Sequence, residues 1–207
     1  SAKDRMNEHN REKYTAAHNK ENSIWDELTK LITQEYLCES GELKKIDISV
    51  IDTGFATKAV MKYIAQISDS GALVYGVKGK SEAEFRQITK DTAMISRSRE
   101  SQLLYLVEGN QTKDLLSYNM KLIDSDMELS PDGMMFFPAS IDGKYSLKDY
   151  FKHFEAEARK EVIKNGEVVG YSWQKVSDSS VNHFLDVKVY ALSAREIFID
   201  LIRKTDK

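Results

Sequence analysis

The stretch Ile46-Asp47-Ile48-Ser49-Val50-Ile51-Asp52-Thr53-Gly54 constrains this chain most. A β-branched run reads as a buried strand over 46–51, and it ends in an acid, a small hydroxyl residue and a glycine. A helical pattern follows from Ala56 to Ile67, and a second apolar run from Leu73 to Val77 reads as another strand. Strand, helix and strand within so short a span predict a right-handed crossover and a parallel pair. The fold class is therefore α/β. Reactive groups collect outside the carboxyl ends of such strands, which makes Asp52 a candidate metal ligand. The same residues are also ordinary strand-to-helix punctuation, with Asp52 or Thr53 as an N-cap.

Around this unit the remaining elements are read in turn. Residues 1–21 carry few large apolar groups, with Met6 and Tyr14 as exceptions, and are expected to be a polar arm. His9 and His18 there have no spacing that makes a ligand pair. Residues 22–207 are expected to form one domain. Ser23 and Asp26 nearly match a capping box before a helix whose apolar positions run from Ile24 to Tyr36. Strands are expected at 93–97 and 102–108. A helix capped by Asn110 should run to about Ile123 with Leu115, Leu116 and Met120 inward. Turns are expected at Ser130–Gly133 and Asp142–Gly143, a short strand at Met134–Phe137, and a short helix at Leu147–Phe154. The clearest local signal lies within Glu161–Trp173, where Asn165-Gly166 marks a type I′ hairpin turn. A long helix is expected over 181–203.

Composition narrows the chemistry. The single cysteine, Cys38, excludes a disulfide framework and a zinc box. It is expected to be a partly buried thiol at the end of a helix. A net charge of -3 argues against a chain coated in basic residues for nucleic acid, although a local patch is allowed. No apolar run approaches the length of a membrane span. A reducing, cytoplasmic setting is the expectation.

Oxygen-rich sites without thiols favour hard cations, Mg²⁺ or Mn²⁺. Asp52 and Asp186 are the natural pair, and two such ions suit attack on a phosphodiester. Lys78 and Lys80 open a mildly basic stretch, which is either a solvated loop or a surface for DNA phosphates. His183 is either a partner for a phosphate or water, or a satisfied surface histidine.

These residues carry a resemblance. Ile51-Asp-Thr-Gly54, Val74-Tyr-Gly-Val-Lys-Gly79, Leu104-Tyr-Leu-Val107, Thr112-Lys-Asp114, Phe136-Phe-Pro138, Tyr150-Phe151, Glu155-Ala-Glu157, Trp173-Gln-Lys175 and Asn182-His-Phe-Leu-Asp186 occur in that order. Together they resemble the C-terminal nuclease domain of a lambda-like phage terminase large subunit, from about Asn22 onward. The resemblance implies an RNase H-like mixed sheet flanked by helices. It implies a two-metal endonuclease that cuts concatemeric double-stranded DNA in the bacterial cytoplasm, with the terminase small subunit and portal as partners. Asp52 then matches the second acidic metal ligand and Asp186 the last. Lys78, Lys80 and Lys113 would meet DNA phosphates, and Glu157 would have a supporting role.

Two departures from the family pattern matter. Residues 1–21 hold no strand-like run ending in an acid, so the first strands of the fold and the first catalytic aspartate are expected to be missing. No glycine-rich phosphate loop of an ATPase motor occurs either. The chain is thus expected to be a fragment of a larger terminase, with an open sheet edge that could pair two copies. The competing reading is a non-catalytic RNase H-like module that binds DNA or a packaging partner. A small-molecule α/β enzyme is disfavoured by the lack of a nucleophile motif.

Overall fold

The computed structural model describes residues 23–89, 93–122, 131–137 and 148–205. The expected arm at 1–21, with His9 and His18, lies outside these residues. So do Ser130 and the turn at Asp142–Gly143. The described chain divides into two compact units. One holds the described residues of 23–80, 95–107 and 194–205, the other those of 81–94 and 108–193.

The first unit begins with α1 (Ile24–Thr33). Its capping box forms as expected: Ser23 Oγ accepts from the Asp26 amide at 3.3 Å, and Asp26 Oδ2 accepts from the Ser23 amide at 2.9 Å. The helix stops at Thr33, short of Tyr36. Tyr36 instead enters β1 (Tyr36–Leu37), which pairs antiparallel with β2 (Leu43–Lys44). Gly41, at φ 80°, lets the chain reverse between them. Half-buried Cys38 therefore lies in this turn and not at a helix end.

β3 (Ser49–Asp52) is shorter and later than the expected run, so Asp52 is its final residue. α2 (Thr57–Ser68) follows and buries Val60, Tyr63, Ile64 and Ile67, as their spacing predicts. β4 (Val74–Lys80) then pairs parallel with β3, Asp52 standing opposite Val77. Lys78 and Lys80 lie within this strand and not in a loop after it. β5 (Ile95–Arg97) and β6 (Leu104–Glu108) pair antiparallel, which makes a mixed sheet in the order β3-β4-β6-β5. The mixed sheet with flanking helices is compatible with an RNase H-like fold, and β3 stands at its edge among the described strands.

Ile32, Val60, Tyr63, Ile64, Ile67 and Val74 form the core of this unit. Trp25 stacks on Tyr63 with ring centroids 4.7 Å apart, and burial pushes the Tyr63 phenol pKa up.

The second unit contains α3 (Glu82–Thr89), α4 (Gly109–Asn119), α5 (Lys148–Lys152), β7 (Glu157–Lys164) and β8 (Glu167–Lys175). The long helix α6 (His183–Thr205) begins in it and runs on into the first unit. α4 starts one residue after Glu108, whose buried carboxylate accepts from the Asn110 and Gln111 amides. Glu108 therefore supplies the cap that Asn110 was expected to supply. The helix ends at Asn119, which leaves Met120 exposed while Leu116 is buried.

Met134–Phe137 forms no strand. Its backbone joins no ladder, and Phe137 packs edge-on against Phe151 at 5.0 Å instead. The β7–β8 hairpin turns at Asn165 and Gly166, at φ 53° and 84°, as that dipeptide predicts.

Gly76, in β4, marks a point of close packing between strand and helix. A Cβ there would sit 2.8 Å from Thr53 Cγ2, 3.0 Å from Met61 Sδ and 3.2 Å from Leu104 Cδ1. The strand and helix approach one another only because that atom is missing. Gly76→Ala should lower the unfolding free energy by about 1–3 kcal/mol, as overpacking does. Urea denaturation followed by circular dichroism measures it, and an unchanged midpoint contradicts this account of the packing.

Candidate active site

Asp52 ends β3 with its side chain exposed, and its Oδ1 accepts from the Gly54 amide at 2.9 Å. That bond shapes the turn after the strand. It does not cap α2, whose N-cap is Ala56 at φ 50° with no side-chain bond. Thr53 is buried and its hydroxyl donates to the Val77 carbonyl at 3.0 Å, so it is committed to the sheet. On the neighbouring strand, Lys78 follows the residue opposite Asp52, and Lys80 lies two positions further on. The strand period of two puts these lysines on one face of β4. Asp52, Lys78 and Lys80 thus share the carboxyl end of the parallel pair in the first unit.

In the second unit, four side chains from three elements meet. Lys113 comes from α4, Glu157 from the start of β7, Asn182 from the residue just before α6, and Asp186 from the first turn of α6. Lys113 Nζ is 2.6 Å from Glu157 Oε2 and 3.7 Å from Asp186 Oδ1. Asn182 Nδ2 donates to Glu157 Oε1 at 2.7 Å and to Asp186 Oδ2 at 2.9 Å. The side chains are 15% exposed for Lys113, 6% for Glu157 and 39% for Asp186, so the Lys113–Glu157 pair is buried and Asp186 opens to solvent.

α4 is well placed to hold this arrangement. Asn110, Lys113 and Asp114 recur at helical spacing and present one face to the hairpin. Asn110 Oδ1 accepts from the Trp173 amide at 3.0 Å. Asp114 Oδ1 accepts from Trp173 Nε1 at 2.8 Å and pairs with Arg159 Nε at 3.1 Å. Arg159 also lies over the Tyr171 ring, 4.7 Å from its centroid. The hairpin is thus docked on α4 through polar contacts.

His183 is exposed, and its ring lies 6.1 Å from that of His153. His153 Nδ1 accepts from the Phe184 amide at 3.3 Å. Tyr150, Phe151, Phe154 and Phe184 pack beside them, and burial pushes the Tyr150 phenol pKa up. On the same short helix, the Lys152 ammonium holds the Asp149 carboxyl below the usual carboxylate range.

Sequence reasoning singled out Asp186 and gave Glu157 a minor place. It missed Asn182 as a bridge, although the four-residue spacing to Asp186 was visible. It expected Lys113 to meet DNA phosphates. In the structure Lys113 is mostly buried and pairs with Glu157, since a carboxylate removed from water needs a counter-charge close by.

The chain matches the family model of the terminase large subunit gpA endonuclease domain over residues 9–202. It belongs to that family. No curated protein and no solved structure matches it. The match bears out the resemblance to a lambda-like terminase nuclease domain and supports a nuclease role in phage genome packaging.

In this family member the cluster offers carboxylates and an amide, with no thiol, and such donors fit a hard divalent ion in kind. Among the described residues no three or more His, Cys, Asp or Glu side chains are grouped to hold a metal. No described helix is long and apolar enough to cross a membrane.

Lys113→Met leaves the buried Glu157 carboxylate without its cation. Stability should fall by about 3 kcal/mol or more, the usual cost of breaking a buried pair from one side. The double variant Lys113→Met/Glu157→Leu removes both charges and should recover much of that loss. Guanidinium melts of the two variants test this, and equal losses in both would contradict it.

Proposed function

We propose that this chain is a divalent-metal-dependent DNA endonuclease domain of a phage packaging terminase, which hydrolyses phosphodiester bonds in concatemeric double-stranded DNA. The family match over residues 9–202 carries this reading. Asp52 and Asp186 are the acids assigned to the metal-dependent step. Both are acceptor-only oxygen donors with solvent access, one at a strand's carboxyl end and one in a helix's first turn. Mg²⁺ or Mn²⁺ is the expected cofactor, two ions in the complete site. Bound ions of this kind supply charge stabilisation at the phosphodiester and a lowered pKa for the attacking water.

The protein's own part is to hold the acids and to bind DNA. Glu157 supports Asp186 through the shared Lys113 and Asn182. Lys78 and Lys80 are the phosphate contacts, since their face of β4 lies at the same strand end as Asp52. Lys113 serves as the counter-charge to Glu157. In this reading the domain works alongside the terminase small subunit and portal in the host cytoplasm. Pairing of two copies through the β3 edge is part of the same reading.

Plasmid nicking in Mg²⁺ and in Mn²⁺ tests the proposal. The chain should nick supercoiled DNA only with metal, and EDTA should stop it. Asp52→Asn and Asp186→Asn should each reduce nicking to background while the circular dichroism spectrum stays unchanged. A folded chain that binds DNA but nicks it with neither metal would overturn the enzyme reading and leave a binding module.

A further inference from the structure

Glu157 and Asp186 are held by a closed ring of contacts. Asn182 Nδ2 takes Oε1 of one and Oδ2 of the other, while Lys113 Nζ lies against Oε2 and Oδ1. Each carboxylate therefore meets the amide through one oxygen and the ammonium through the other. Carboxylates accept and do not donate, so the NH₂ edge of Asn182 must face both of them. That nitrogen has two hydrogens, enough for both bonds.

The two partners differ in what they contribute. Lys113 supplies charge, which permits two acids to sit close together. Asn182 is neutral and supplies geometry without altering the charge. With one ammonium and two carboxylates, the ring retains a net charge of about -1.

We infer that Asn182 is a positioning residue, which ties Asp186 to the buried Glu157 and so sets the orientation of the Asp186 carboxylate for binding a divalent cation. The inference rests on the reading of Asp186 as a metal ligand. Groups that hydrogen-bond a ligating carboxylate fix its direction, and their loss costs about 10–100-fold in metal affinity or activity. An amide suits this position. A lysine there would cancel the remaining charge, and an aspartate would add repulsion with no donor to offset it.

The test uses the full chain with Asn182→Ala, Asn182→Ser and, in parallel, Asp186→Asn. Serine keeps an oxygen able to cap α6 but is too short to bridge both acids. It therefore carries the test if the alanine variant folds poorly. Mn²⁺ alone is titrated by calorimetry, and nicking is followed against Mn²⁺ concentration. Both Asn182 variants should bind Mn²⁺ about 10–100-fold more weakly. The Mn²⁺ midpoint for nicking should shift alike, and the rate at saturating Mn²⁺ should fall less than the midpoint moves. Parent-like Mn²⁺ affinity in a folded Asn182→Ser chain, with binding lost in Asp186→Asn, overturns this inference and leaves the metal-ligand reading standing. Parent-like binding and nicking in Asp186→Asn overturns that reading and this inference with it.

Discussion

One ammonium group holds the second unit's polar centre together. Lys113 Nζ answers Glu157, a carboxylate almost wholly removed from water, and reaches toward Asp186 as well. Burying an ionised carboxylate alone costs several kcal/mol, and the attraction to a nearby cation offsets this only when the remaining oxygen is also satisfied. Asn182 satisfies it. The start of β7, the start of α6 and the middle of α4 are therefore bound to one another's positions. If one element moves, a buried charge loses its partner. The next residue of α4, Asp114, extends the constraint to both strands of the hairpin through Arg159 and Trp173.

The first unit is held by different physics. Its centre is apolar, with α2 laid on the sheet through Val60, Ile64 and Ile67, and Gly76 allows β4 to come close. Such packing is non-directional, so it fixes a density more than a set of partners. Its polar exceptions include Thr53, whose hydroxyl binds the Val77 carbonyl, and the Thr29–Tyr63 hydroxyl pair. Asp52 is carried at the end of this layer, where strand register sets it opposite Val77.

These two kinds of constraint also explain what the sequence could disclose. Elements decided locally were legible. Asn165-Gly166 dictates its own turn, Ser23 and Asp26 cap each other across three residues, and Ile46–Val77 reads as strand, helix, strand. Elements decided by distant partners were not. Met134–Phe137 has the composition of a strand, but no ladder receives it, and its aromatic ring packs against α5 instead. Glu108 takes the capping role from Asn110 because its carboxylate reaches two amides at once. Lys113 gives no local sign that its partner is Glu157, 44 residues away. A lysine near a nucleic-acid site and a lysine neutralising a buried acid look alike in sequence. Burial separates them.

The charge balance of the cluster bears on the division of labour among the basic residues. With Lys113 committed to two acids, the ring keeps a net negative charge. A phosphodiester that approached it unaided would meet like charge, which is unfavourable in a partly desolvated setting. A carboxylate centre of this kind has use for DNA only when divalent cations stand between acid and phosphate. If the domain acts on DNA as proposed, the attraction for the phosphate backbone must then come from cations outside this ring. In the proposed function Lys78 and Lys80, on one face of β4, are the residues that would answer that requirement, since backbone-phosphate contacts need positive charge at the surface and no particular base. Lysine in this chain thus has two separate tasks. Lys113 is largely buried against an acid, and in the proposed function Lys78 and Lys80 on β4 are the ones that meet the phosphate backbone.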